Sequence, residues 1–188
     1  MRIDELTAAA DNLEKERFGS QCRRLMQEYQ RQERRKEALR IFGGLFEQAA
    51  AQRKRAAWLG VSSLHTSVQT GKTEYLLAVY GEEFYLDPAP VGRYWTPSVF
   101  QECMEEDIRA VIKELRSRFP RIWQYEEAEI YRVCAEYYDA AFCRLCADLA
   151  DELSKTGAFF QMEKTEHFGI FFGKYQGEGE ILWQITGK

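Results

Sequence analysis

The chain has 188 residues, 45% of them apolar and 14% aromatic, which is enough to bury a packed core and too much for a disordered segment. Its net charge of −4 is unevenly carried: residues 1–60 hold 13 Lys and Arg against 9 Asp and Glu, and residues 61–188 hold 13 against 21. No apolar run is long enough to span a bilayer, and Asp4 and Glu5 stand where a secretory leader is apolar, so no membrane is expected and the expected setting is cytoplasmic.

Residues 3 to about 31 have helical periodicity. Ile3, Leu6, Ala10 and Leu13, then Phe18, Cys22, Leu25 and Tyr29, make one apolar stripe with a slip between Leu13 and Phe18. A second helical stretch is expected over 34–58, with Ala38, Ile41, Phe42, Leu45, Phe46 and Ala49 on one side. Gly43 and Gly44 interrupt it, and Gly60 is placed as its C-cap. Residues 1–58 are read as a helical arm or hairpin and 59–188 as an α+β body. The basic clusters around Arg34-Arg35-Lys36 and Arg53-Lys54-Arg55 can bind phosphate backbones, but Glu28, Glu33 and Glu37 are interleaved as on a solvated helix face. Nucleic acid is therefore not the expected partner.

The stretch Gln69 to Tyr75 reads QTGKTEY, which ends like a phosphate-binding loop. That loop needs a first glycine five residues before Gly71, where the chain has Thr66, and a helix after the threonine. Glu74 to Tyr80 is instead rich in aromatic and branched residues and reads as a strand. Thr70-Gly71-Lys72 is expected to be a hairpin turn with Gly71 at positive φ, between strands at 61–69 and 73–80. A third strand is expected at 83–87. Residues 87–97 contain Pro88, Pro90 and Pro97 and are expected to lack regular structure. Thr96-Pro97 reads as a helix start.

One helix is expected from Pro97 to about Arg118 and a longer one from about 121 to 155, broken by Phe119-Pro120 and ended by Gly157. Strand-like segments follow at 158–162, 167–175 and 180–185. The order of helices, strands, helices, strands gives an α+β class: an antiparallel sheet of about six strands in two groups, separated by two long helices.

No catalytic set assembles from the residues. Cys143 and Cys146 form a C-x-x-C pair inside a long helix, away from the helix N-terminus that would activate it, and they lack further ligands at zinc spacing. The five cysteines are an odd count and suit reduced thiols. Glu126, Glu127, Glu129, Glu136 and Asp139 lack the helix histidines that a di-iron site needs. His65 beside Thr66 shares no strand face with it, and no G-x-S-x-G elbow exists. No cofactor and no metal are expected. The candidate binding residues are Tyr85, Asp87, Arg93, Tyr94 and Trp95, because Tyr, Trp and Arg on a loop held by a sheet are the composition of interaction hot spots. The expected function is a non-enzymatic interaction module that meets a protein partner or a second copy through its N-terminal helices. The alternatives are a small-ligand pocket or enzyme near 85–95, and nucleic-acid binding through the basic arm.

Overall fold

The computed structural model describes residues 2–64 and 71–185. His65, Thr66 and Thr70, and the expected strand beyond residue 64, lie outside the described residues. The chain is α+β, with five α-helices and one five-stranded mixed sheet among the described residues. In chain order come α1 (Arg2–Gln30), α2 (Gln32–Ala51), β1 (Ala56–Ser63), β2 (Tyr75–Tyr80), a 3-10 turn (Phe84–Leu86) and β3 (Val91–Trp95). Then follow α3 (Ser98–Arg118), α4 (Gln124–Leu153), α5 (Gly157–Gln161), β4 (Lys164–Lys174) and β5 (Gly179–Gln184).

Contacts divide the chain into two compact units. The first comprises Met1–Tyr29, Thr66–Thr73 and Thr96–Phe142, and the second Gln30–His65, Glu74–Trp95 and Cys143–Lys188. In the first unit α1 lies against α3 and the start of α4. Phe18 packs on Tyr137 and Tyr138, Tyr29 packs on Phe100, and Leu6, Ala10 and Leu25 are fully buried. Arg2 Nε donates to Glu126 Oε1 at 2.7 Å. Glu126 also accepts the Trp123 N–H at 2.9 Å, the return half of a capping box that starts α4. Leu6, Ala10, Leu25 and Tyr29 of the α1 stripe are thus buried inside this unit, while Ile3, Leu13, Phe18 and Cys22 are half-buried.

In the second unit the strand order is β3-β2-β1-β4-β5. β1 pairs antiparallel with β2 and parallel with β4, while β2–β3 and β4–β5 are antiparallel. The two expected strand groups therefore join into one sheet through the parallel β1–β4 pair, and the expected all-antiparallel set of six is corrected to five strands, mixed. A parallel pair needs a long crossover, which α3, α4 and α5 supply along the chain.

The local corrections have physical causes. Residues 91–95 form a strand between Pro90 and Pro97 because this short proline-free run pairs with β2 at the sheet edge, where prolines on either side cost no ladder bond. Residues 84–86 form a 3-10 turn rather than a strand. Residues 157–161 form α5 rather than a strand because the Thr156 hydroxyl caps it, accepting the Phe159 N–H at 3.3 Å. The second helix stops at Ala51, and Arg53 turns the chain at φ 51°. Gly60 is no helix cap: it sits inside β1, where a Cβ would lie 2.8 Å from the Tyr80 ring. Gly71 has φ +65°, as a turn glycine should. Gly43 and Gly44 do not interrupt α2. A Cβ on Gly43 meets nothing within 4 Å. Gly43→Ala is expected to stabilise the protein by about 1 kcal/mol in a denaturant titration, and a destabilised variant would show that this position needs glycine.

Strand alternation sorts the sheet into two faces. Leu59, Val61, Leu77, Val79, Trp95, Ile170 and Phe172 share one register-defined face. On it, Trp95 packs edge-on to Phe42 of α2, and Phe159 of α5 meets Phe46, Phe168 and Trp183. The opposite face carries Trp58, Gly60, Ser62, Leu76, Ala78, Tyr80, Gly92, Tyr94, Gly169 and Phe171. Among the described residues of this unit, rings and the 3-10 turn cover that face instead of a helix.

Candidate functional site

The glycines of the ring-covered face explain how rings come to lie on it. A Cβ on Gly169 would sit 2.6 Å from the Trp58 ring, and one on Gly60 would strike Tyr80. With no side chain there, Trp58 and Tyr80 lie down on the backbone. Phe84 then packs on Trp58, Tyr80 and Phe171 at centroid distances of 5.8, 5.0 and 5.3 Å. Tyr85 packs on Tyr80 and Tyr175, each at 5.7 Å, and its hydroxyl lies 3.5 Å from Ser62 Oγ.

Phe84 holds φ at +50°. For a bulky side chain this conformation costs about 1–3 kcal/mol and persists only where the surroundings impose it. Asp87 ties together the two ends of the turn that contains it. Its carboxylate accepts the Gly81 N–H at 2.6 Å and the Ala89 N–H at 3.0 Å, and it pairs with the Lys54 ammonium. Lys54 also donates to the Ala89 carbonyl at 2.8 Å. Burial works against the Asp87 charge, but Lys54 and the two N–H groups outweigh it and hold the carboxyl below its ordinary value of 3.8. Asp87 is therefore the clamp of a turn, whose crest presents Leu86 at 82% exposure.

The five sequence-predicted residues are divided between the two faces of the sheet. Tyr94 pairs with Leu76 on the ring-covered face and is 62% exposed. Tyr85 covers the same face over Ser62, which pairs with Leu76. Arg93 and Trp95 alternate with Tyr94 and belong to the α2 face, where Trp95 is buried against Phe42. Asp87 faces into its own turn. These side chains do not converge on one pocket. Leu86, Phe84 and Lys54 belong with the turn and were missed. The available signal for Lys54 was its single-file position between Arg53 and Arg55 next to a turn, which composition alone reads as surface charge.

The first unit holds a different polar group, buried where α1, α3 and α4 meet. Glu14 and Asp107 are both fully buried. Arg17 Nε donates to Asp107 Oδ1 at 2.9 Å, and the Tyr138 hydroxyl donates to Oδ2 at 3.3 Å. The Cys134 thiol donates to Glu14 Oε2 at 3.7 Å, while Glu14 Oε1 has no donor. Burial, followed by the neighbouring Asp107 charge, pushes Glu14 up to about 8. Burial and Glu14 push the Cys134 thiol upward as well. Nearby, the Tyr137 hydroxyl donates to Asp11 Oδ1 at 2.6 Å. The sequence carried a signal for this group: Glu14 occupies the slip between Leu13 and Phe18, so Ala10, Glu14 and Phe18 continue the stripe at steps of four.

The remaining sequence candidates have plainer surroundings. Arg34 pairs with Glu37, Lys36 with Glu33, and Arg35 with Glu152. Cys143 donates to Glu180 Oε1 at 2.9 Å, and burial pushes the Cys146 thiol up. The Gly71-Lys72-Thr73 segment leads into β2, not into a helix. Among the described residues, no group of three or more His, Cys, Asp and Glu side chains is placed to hold a metal ion. No helix among them is long and apolar enough to cross a membrane.

Fold and geometry thus define an α+β chain with a mixed sheet, one of whose faces is layered with aromatic rings. No family model, no curated protein and no solved structure matches the chain.

Proposed function

We propose that this chain is a non-enzymatic interaction module of the cytoplasm, and that it receives a protein partner or a second copy on the ring-covered sheet face at the Gly81–Asp87 turn. One observation carries the proposal. A strained backbone at Phe84, clamped by Asp87, holds Leu86 out into solvent beside a layer of tyrosines. Strain retained to expose an apolar side chain is the opposite of what core packing selects. Tyrosines with two rotatable angles supply contact area at low entropic cost. Of the N-terminal helices, whose stripe first suggested a partner, α1 buries Leu6, Ala10, Leu25 and Tyr29 within the first unit, and α2 buries Phe42, Leu45 and Phe46 within the second.

The test places a photo-crosslinking residue at position 94 of the full chain, with and without Leu86→Glu. A single adduct of defined mass is expected, and Leu86→Glu should reduce its yield by about tenfold or more, as loss of a central apolar anchor does. An adduct of twice the chain mass identifies a second copy, and any other single mass identifies a different partner. No adduct above that of a crosslinker placed at exposed Lys113 on α3 would defeat the reading, as would a yield indifferent to Leu86.

A further inference from the structure

The buried carboxyl pair of the first unit has no part in the docking surface. Two acids lie there fully buried with one guanidinium, and Glu14 Oε1 has no hydrogen-bond partner. We infer that Glu14 and Asp107 carry a single proton between them and that this proton makes the packing of α1 on α3 and α4 responsive to pH. Both acids ionised would place two negative charges against Arg17 alone, away from water. One proton between them instead gives Glu14 a donor to Asp107 and leaves the Asp107–Arg17 ion pair intact. Loss of that proton to solvent removes the hydrogen bond and adds a repulsion at the same place.

Arg17 from α1, Asp107 from α3, and Cys134, Tyr137 and Tyr138 from α4 act on Glu14 directly, while Asp11 bonds to Tyr137, Cys103 acts on Tyr138 and Cys134 acts on Tyr131. Burial pushes Tyr131 up to about 12 and raises the other tyrosines and thiols of this set that shift, so none of them releases a proton in the neutral range. His167, the histidine among the described residues, belongs to the second unit. Among the described residues of this cluster, Glu14 is therefore the group set to titrate near neutrality.

The direction follows from linkage. Glu14 binds its proton more tightly folded, at about 8, than at its ordinary value of 4.5. Its contribution is full below 4.5, is lost steadily as the pH rises, and is gone above about 8. Within that window one proton per chain changes the folding equilibrium of the unit by about tenfold per pH unit.

Two measurements on the full chain test this. The first is amide exchange of α1, corrected for intrinsic rate, from pH 5 to 8.5 in wild type and Glu14→Gln. Wild-type protection is expected to fall with pH while Glu14→Gln stays flat, because the amide keeps a donor and cannot ionise. The second is the infrared carbonyl band of a protonated carboxylic acid. It should be present in wild type at pH 6.5, disappear near pH 8, and be missing from Glu14→Gln. Parallel exchange profiles in the two proteins would overturn the inference. So would absence of the band in wild type at pH 6.5, a result that stands even if the variant does not fold.

Discussion

Asp87→Ala is expected to destabilise the second unit by about 3 kcal/mol, the usual cost of removing one partner from a buried ion pair. The carboxylate satisfies three donors at once: the Lys54 ammonium and the N–H groups of Gly81 and Ala89. Its removal leaves Lys54 with only the Ala89 carbonyl, in a site where the lysine side chain is 13% exposed. It also unties the two ends of the turn in which Phe84 holds positive φ, so the turn relaxes and Leu86 is no longer displayed. The measurement is a denaturant titration read together with amide exchange over 81–89. Asp87→Asn should recover part of the loss, because its carbonyl still accepts from the backbone. A change below about 1 kcal/mol in Asp87→Ala would mean that the aromatic layer alone fixes the turn. Because the carboxyl sits below its ordinary value of 3.8 in the folded state, its contribution is full above that value and is lost as the pH falls through and below it. The turn should therefore loosen in acid, whereas α1 loosens toward pH 8.

Gly179→Ala is expected to cost a comparable amount, about 3 kcal/mol, at the upper end of overpacking effects. A Cβ there would stand 2.2 Å from the Phe172 carbonyl oxygen, 2.4 Å from the Phe171 ring and 2.7 Å from the Gly173 Cα. Two of these atoms are backbone, and neither can yield without parting β4 from β5. β5 is an edge strand, so the loss is expected to fall first on its own amides, with Gly179 to Gln184 exchanging freely while β1 and β2 stay protected. Protection of β5 unchanged from wild type would show that the β4–β5 register absorbs the methyl group. Gly43→Ala is the matched control, since the same added methyl group meets open space.

How much of this was readable from the sequence depends on the range of the interaction. The helices were legible because each carries its own period: the Leu6-Ala10 and Leu25-Tyr29 steps of α1, and the Ile130-to-Leu153 stripe of α4, are set by neighbours three and four residues away. Gly71 was legible as a turn because φ at one residue is a local property. The strand at Val91–Trp95 was hidden, since its middle three residues are exposed and its only reason for being extended is β2. Of the five candidate binding residues, the sequence placed Tyr85 and Tyr94 on what became one face, but alternation carried Arg93 and Trp95 to the other.

The sequence by itself determined the α+β class and the existence of the four long helices, because composition and short-range periodicity carry that information. Tertiary structure alone decided that the strand groups are one sheet, since the β1–β4 pairing joins residues about a hundred positions apart and no local pattern encodes its register. It alone decided that Asp87 meets Lys54 and that Glu14 meets Asp107. A charge in a sequence reads as solvated by default, and only packing that removes water from both partners turns it into a clamp or a proton site.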